Sequence, residues 1–170
     1  MSNQGLFTKL IHGATTFSDG RGSISVLYES DTAVLKRSSS KKGVFRGLHR
    51  QISPSKQIKI VRIISGKIID FVSDPEEAGE IIWYTELSSE DDWVQIDSRL
   101  AHGFYAVEDV VFEYFCDGKY DESLEQSYRV DGIISEVLGL QPIYLSDKDL
   151  KGNPFGKSVR PLKGSIKVLS

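Results

Sequence analysis

The chain has one cysteine, Cys116, in 170 residues. No intrachain disulfide can form and no thiolate-based zinc site can be built; a single free thiol suits a reducing cytoplasm. No uninterrupted apolar run approaches the roughly 20 residues that a membrane-spanning helix needs. Residues 1–9 lack the apolar segment of a secretory signal. Basic charge is not in excess: 21 Lys+Arg against 24 Asp+Glu give a formal net charge of −3 and a pI near 5.6. That balance favours neither nucleic acid nor an anionic membrane as a partner, so an anionic ligand must be met by a local basic pocket. The histidines His12, His49 and His102 include no His-x-His pair, the strand spacing that zinc and iron sites in β-barrels commonly use, and no metal is expected. What remains is an ordinary soluble composition, 39% hydrophobic and 26% charged, long enough for one domain with a real core.

Taken in order, residues 1–16 read as a mixed lead-in, with His12 as a surface residue. Phe17-Ser18-Asp19-Gly20-Arg21-Gly22 carries turn chemistry. Residues 23–29 alternate as a strand with Ile24, Val26 and Tyr28 on one face. Residues 36–42 (Lys-Arg-Ser-Ser-Ser-Lys-Lys) are polar and basic and read as a solvated loop. After a turn at Ser53-Pro54-Ser55, apolar segments at 58–64, 67–72, 81–87, 93–96 and 110–115 recur at hairpin intervals. Helix is expected only near 29–35 and 123–127. Short, regularly spaced strands with so little helix predict an all-β sandwich or barrel. Residues 151–170 are basic and turn-rich, a tail lying over the body or over a partner.

One stretch stands out: Gly43-Val44-Phe45-Arg46-Gly47-Leu48-His49-Arg50-Gln51, continuing to Gln57-Ile58-Lys59-Ile60-Val61-Arg62. Strands alternate faces, so Arg46 and Leu48 are expected on one side and Gly47 and His49 on the other. Burying an unpartnered polar group costs about 2–7 kcal/mol; charged groups at core-like positions are therefore either solvated or line a site. His49 and His102 each sit in a glycine-bearing apolar context, Arg46-Gly47-Leu48-His49 and Leu100-Ala101-His102-Gly103-Phe104. With Arg46 and Lys59 close by, they point to a site rather than to two satisfied core histidines. The chemistry that fits is proton abstraction from carbon. Histidine titrates near neutrality, an orienting carboxylate would fix its tautomer, and a lysine would stabilise the oxygen of a forming enolate. Inverting a stereocentre also needs an acid on the opposite face. Tyr114, inside the apolar run Val111-Phe112-Glu113-Tyr114-Phe115, and Tyr120 are candidates, beside simple amphipathic packing, the commoner fate of a strand tyrosine.

Larger motifs run through the chain in a definite order. Phe17-x-Asp19-x-Arg21-Gly22 is followed by Ser38-x-Ser40-Lys41-Lys42-x-Val44-x-Arg46-Gly47-Leu48-His49-x-Gln51. Then come Gln57-x-Lys59-x-Val61-Arg62, Gly66 and Asp70, Ala101-His102-Gly103-Phe104, Tyr114, Tyr120-Asp121 and Leu145-Ser146-Asp147-Lys148-Asp149. Each is weak alone; the series is specific. On these residues, spanning 17–149, the chain resembles the dTDP-4-dehydrorhamnose 3,5-epimerase family, small jelly-roll enzymes that work without metal.

The resemblance implies an all-β jelly-roll (cupin-like) sandwich or barrel with short peripheral helices. It implies one domain over residues 1–170, its core at about 17–149 and an extension at 150–170. It implies a cofactor-free, homodimeric, cytoplasmic epimerase that inverts C3, C5 or both in a nucleotide-linked 4-keto-6-deoxy sugar, for polysaccharide or deoxysugar synthesis. Carried over position by position, His49 is similar to the base and Asp149 to the carboxylate that orients it. Lys59 would stabilise the enolate with His102 nearby, and Tyr114 would return a proton from the other face. Arg46 and Arg21 would hold the diphosphate, and Gln51, Gln57 and Tyr120 would line the sugar and nucleotide pocket. The chain departs from the family pattern at Ile24 and Val26, at Val34-Leu35-Lys36-Arg37 and at Arg50. GDP or CDP in place of dTDP, with the base read by Lys36 and Arg37, and a heptose in place of a hexose, are therefore open. A 3,4-ketoisomerase of related form and a nucleotide-sugar-binding protein without catalysis are the alternatives.

Overall fold

The computed structural model describes residues 15–163; His12 lies outside them. Strands run over Thr15–Asp19 (β1), Gly22–Glu29 (β2), Ala33–Ser40 (β3), Phe45–Gln51 (β4), Ile58–Ser65 (β5) and Lys67–Ser73 (β6). Ile81–Ser88 (β7), Val94–Ile96 (β8), Ala101–Ala106 (β9), Val110–Asp117 (β10) and Glu125–Arg129 (β11) follow. Helices Asp131–Leu138 (α1) and Asp147–Leu150 (α2) precede two short strands, Asn153–Pro154 (β12) and Ser158–Pro161 (β13). The strands form two sheets, ordered β1-β2-β3-β10-β5-β8 and β12-β11-β4-β9-β6-β7-β13. Pairing is antiparallel except where β12 joins β11 and β13 joins β7. This is the all-β two-layer architecture that the strand spacing predicts. No helix among the described residues is long and apolar enough to cross a membrane.

Period-two alternation splits the second sheet between two cores. Along β9, Phe104 and Ala106 meet Val61, Ile63, Val110 and Phe112 of the first sheet. Ala101 and Tyr105 point the other way and join Phe45, Leu48, Phe71, Ile82 and, from α1, Ile134. Each fully buried side chain of the larger kind contributes about 1.5–3 kcal/mol, so the second sheet is gripped on both faces. The α1 helix ends at Gly139 in the left-handed conformation, the usual helix stop.

Strict alternation fails in β4, and the failure shapes the site. Phe45 and Leu48 both enter the core beneath α1, while Arg46 and His49 both face a cavity between the sheets. A spacing of three cannot keep one face unless a residue is added. The register shows it: Arg46 pairs with Phe104 and His49 with His102, three steps on β4 against two on β9. This one-residue β-bulge corrects the expectation that Arg46 and His49 face opposite ways.

Other expectations also change. Residues 36–40 are strand, not loop. β3 pairs with both β2 and β10, Ser38 and Ser40 are buried, and Arg37 faces outward, bonding Glu113 at 2.9 and 2.5 Å. The expected helix near 29–35 is a bend leading into β3, and that near 123–127 is a single 3₁₀ turn, Glu122–Leu124, before β11. α1 and α2 are short helices of the kind the resemblance implies, at positions other than the two the residue pattern suggests. The tail does lie over the body as far as Pro161, through β12 and β13.

Candidate active site

Between the sheets lies a cavity of about 260 Å³ lined by Arg21, Arg46, His49, Lys59, His102, Tyr114 and Asp149, with Ile24, Val61, Phe104 and Phe112 as its apolar wall. Seven of the ten site residues expected from sequence meet here. The two histidines stand on neighbouring strands of the second sheet, paired in register. Lys59 and Tyr114 stand on neighbouring strands of the first.

Each histidine carries its own carboxylate. His49 Nε2 lies 2.7 Å from Asp149 Oδ1, and His102 Nε2 lies 2.6 Å from Asp70 Oδ1. Asp149 is held by a capping box at the start of α2: the Ser146 hydroxyl accepts from its backbone N–H, while Asp149 Oδ2 accepts from the Ser146 N–H and hydroxyl. The reciprocal bonds fix the carboxylate's direction. Burial pushes the Asp149 carboxyl up, but the bond to His49, its charge and the Ser146 donors outweigh this and hold it below its ordinary 3.8. Asp149 is therefore the acceptor, and His49 donates from Nε2, leaving Nδ1 free to exchange a proton. On that side Glu125 Oε1 stands 4.0 Å away and is ion-paired with Lys148. Burial raises Glu125, yet His49 and Lys148 leave it below its usual range.

A carboxylate with a depressed pKa stabilises the fold above its unfolded value and loses that contribution as pH falls through the folded one. Asp149→Asn keeps an oxygen for Ser146 but removes the charge. Its stability should fall below wild type at pH 7, and denaturant titrations should show the gap closing below pH 3.8. A gap independent of pH would mean that the charge of Asp149 does not stabilise the fold.

The opposite wall supplies cations and a phenol. Burial lowers the Lys59 ammonium below lysine's ordinary pKa, and its Nζ donates to the His49 carbonyl at 3.4 Å. Burial likewise raises Tyr114 well above an ordinary phenol, so Tyr114 stays protonated. Arg46 donates from Nε to Ser40 Oγ at 3.0 Å; burial lowers its pKa, and its guanidinium forms no ion pair among the described residues. Arg21 is paired with Asp19 at 2.6 Å and comes within 3.9 Å of Asp149. A site with a histidine–carboxylate pair on one sheet and a neutral phenol on the other can remove a proton from one face of a ligand and return it to the opposite face.

Gln51, Gln57 and Tyr120 are not on this wall. Gln57 donates to the Gly118 carbonyl at 2.7 Å and Gln51 accepts from the Asp121 N–H at 2.9 Å; both brace the segment after β10. Tyr120 is at the rim, accepting from Lys148 at 3.3 Å and lying under Lys36 at 5.2 Å. Arg50, one of the departures from the family pattern, is tied to Gln126 and Glu76. Sequence reasoning missed Ser38, Asp70, Glu125, Ser146 and Lys148 as site residues. Two had signals: Asp70 is a carboxylate inside the apolar run Ile68-Ile69-Asp70-Phe71, and Ser146-x-x-Asp149 has the spacing of a capping box. Glu125 has none, because only the pairing of β11 with β4 brings it to His49.

Comparison with known proteins identifies the family. Residues 9–157 match the family model described as dTDP-4-dehydrorhamnose 3,5-epimerase. A dTDP-4-dehydrorhamnose 3,5-epimerase of Shigella flexneri is 34% identical over 124 residues, covering 69% of this chain and 68% of that protein. Among solved structures, a dTDP-4-dehydrorhamnose 3,5-epimerase from Sulfolobus tokodaii superposes with a TM-score of 0.64 at 28% identity, covering 82% of this chain and 85% of that one. A Legionella pneumophila dTDP-6-deoxy-D-glucose-3,5-epimerase, solved in complex with dTDP-4-keto-L-rhamnose, gives 0.63 at 27% identity, covering 83% and 84%.

Proposed function

The chain belongs to the dTDP-4-dehydrorhamnose 3,5-epimerase family of isomerases, and on that footing we propose that it inverts carbon centres beside the C4 ketone of dTDP-4-keto-6-deoxyglucose through an enolate. The observation that carries this reading is the placement of His49 and Tyr114 on opposite sheets across one cavity. His49 removes the proton from the carbon next to the ketone, and Asp149 balances the imidazolium that forms. Lys59 and His102 stabilise the enolate oxygen. Tyr114 returns a proton to the other face, which inverts the centre; between turnovers His49 gives up its proton to water and Tyr114 regains one from water.

At about 260 Å³ the cavity falls below the usual 300–1,000 Å³ of sites for drug-sized ligands. It suits the sugar, with the diphosphate met by Arg46 and Arg21 and the nucleoside outside. Beside the mouth, Phe17, Tyr28, Lys36 and Tyr120 line an exposed groove whose aromatic faces suit a base; Arg37, on the outer face, takes no part. A cytoplasmic homodimer belongs to the same proposal. Its support is the free thiol of Cys116 and the wholly exposed β1, with Phe17 at 65% exposure and Tyr28 of the neighbouring β2 at 54%.

The test is deuterium uptake followed by NMR in heavy water with dTDP-, GDP- and CDP-linked 4-keto-6-deoxy sugars, hexose and heptose. Label at C3, or at C3 and C5, of the dTDP-hexose is the expected result, and it counts the centres exchanged. Absence of label from every sugar would end the epimerase reading. Tyr114→Phe should keep exchange at carbon while inversion falls about a hundredfold. An equal loss of both would remove Tyr114 from the role of returning acid.

A further inference from the structure

On the inner face of β3, Ser38 is a polar group with nothing to bond. It is 1% exposed, its Oγ has no hydrogen-bond partner, and it lines the cavity. Register sets it between Ile24 of β2 and Phe112 of β10, side chains that neither donate nor accept. A buried hydroxyl left unpaired destabilises a fold, and apolar residues would fill this row at no such cost. Two residues along the same face, Ser40 accepts from Arg46, so Ser38 stands about 7 Å farther along the strand rise, on the wall of the cavity that Arg46 also lines.

We propose that the Ser38 hydroxyl is a substrate-positioning group that donates to a phosphate oxygen of the ligand bound by Arg46. The assignment rests on the nucleotide-sugar reading above. Phosphate fits better than a sugar hydroxyl because its oxygens only accept, take several donors at once and are drawn to the cavity by Arg46 and Arg21. A serine flanked by two apolar side chains has only its own O–H to give.

Ser38→Ala deletes the hydroxyl and little else. Calorimetric titration should show dTDP binding about tenfold weaker and inorganic pyrophosphate, run in parallel, weakened by a similar factor. The thermal midpoint should hold or rise, since an unsatisfied group has been removed. Ser38→Cys, close in volume but a poor donor, should bind as weakly as Ser38→Ala. Unchanged affinity for both ligands overturns the proposal. So does a midpoint several degrees lower, which would make the hydroxyl structural, or a weakening confined to dTDP, which would move the contact to the nucleoside. Failure of the epimerase reading looks different: wild type would bind pyrophosphate yet exchange no deuterium into any sugar, and the Ser38 comparison would still stand.

Discussion

Replacing His49 with alanine should lower turnover of the 4-keto sugar about a thousandfold, within the range for loss of a positioned general base, and should abolish deuterium exchange at carbon along with it. Both losses follow from one geometry. The imidazole offers the cavity a basic nitrogen backed by a fixed carboxylate on the wall facing Tyr114. Lys59 cannot take over, since its Nζ is on the opposite sheet and donates to the His49 carbonyl. His102 is likewise backed by a carboxylate, Asp70 at 2.6 Å, but it is more deeply buried than His49 and in the proposed mechanism it serves the enolate oxygen rather than the carbon that loses the proton. The variant should still fold. The His49 side chain is 26% exposed, and Asp149 keeps its Ser146 donors and Arg21 at 3.9 Å. Circular dichroism and gel filtration would establish the fold, and near-normal turnover in a folded variant would sink the assignment of His49 as base.

Gly47→Ala should do its damage through the fold. Gly47 has φ of +118°, a conformation that L-residues with a side chain adopt only under strain. A Cβ there would fall 2.5 Å from Gly103 Cα and 2.6 Å from the His102 carbonyl oxygen. Both obstacles are backbone and cannot swing aside. Strain of about 1–3 kcal/mol and overpacking of about 1–3 kcal/mol together approach 4 kcal/mol or more, a large part of the 5–15 kcal/mol that holds a typical domain folded. Chemical denaturation should show the loss, with insoluble expression as its extreme form. A variant within 1 kcal/mol of wild type would mean that the bulge relaxes with little cost. The position also ties stability to chemistry, because it is the bulge that turns both Arg46 and His49 into the cavity.

The sequence made the all-β architecture and most central strands legible, because β5, β6, β7 and β10 alternate or run apolar between turn residues. It also pointed to His49, Lys59, His102, Tyr114 and Asp149, which share one cavity. What escaped had physical causes. β3 looked like a loop because Lys36, Ser38 and Ser40 are polar where a core strand would be apolar; Ser38 faces the cavity, Ser40 accepts from Arg46 and Lys36 lies over Tyr120. α1 escaped because eight residues carry little periodicity, and its stability comes from docking Ile134 on the second sheet. The bulge in β4 cannot be counted from side-chain type, since Gly47 suits a strand interior, a turn or a bulge alike. Gln51 and Gln57 are polar residues within the motifs, yet their amides brace the backbone after β10 rather than the cavity wall.

The short C-terminal strands also bear on how copies of the chain behave when crowded. A sheet edge with free N–H and C=O groups is a template on which another chain can add a strand, the first step of many aggregates. β13 covers the edge of β7 over four residues, and β12 covers part of β11. Additive pairing is thereby blunted on both sides of the sheet that holds the histidines. Among the described residues, the first sheet has no such cover at β1 or β8. Misassembly during concentration or refolding is accordingly steered to that layer, away from the strands that carry the base.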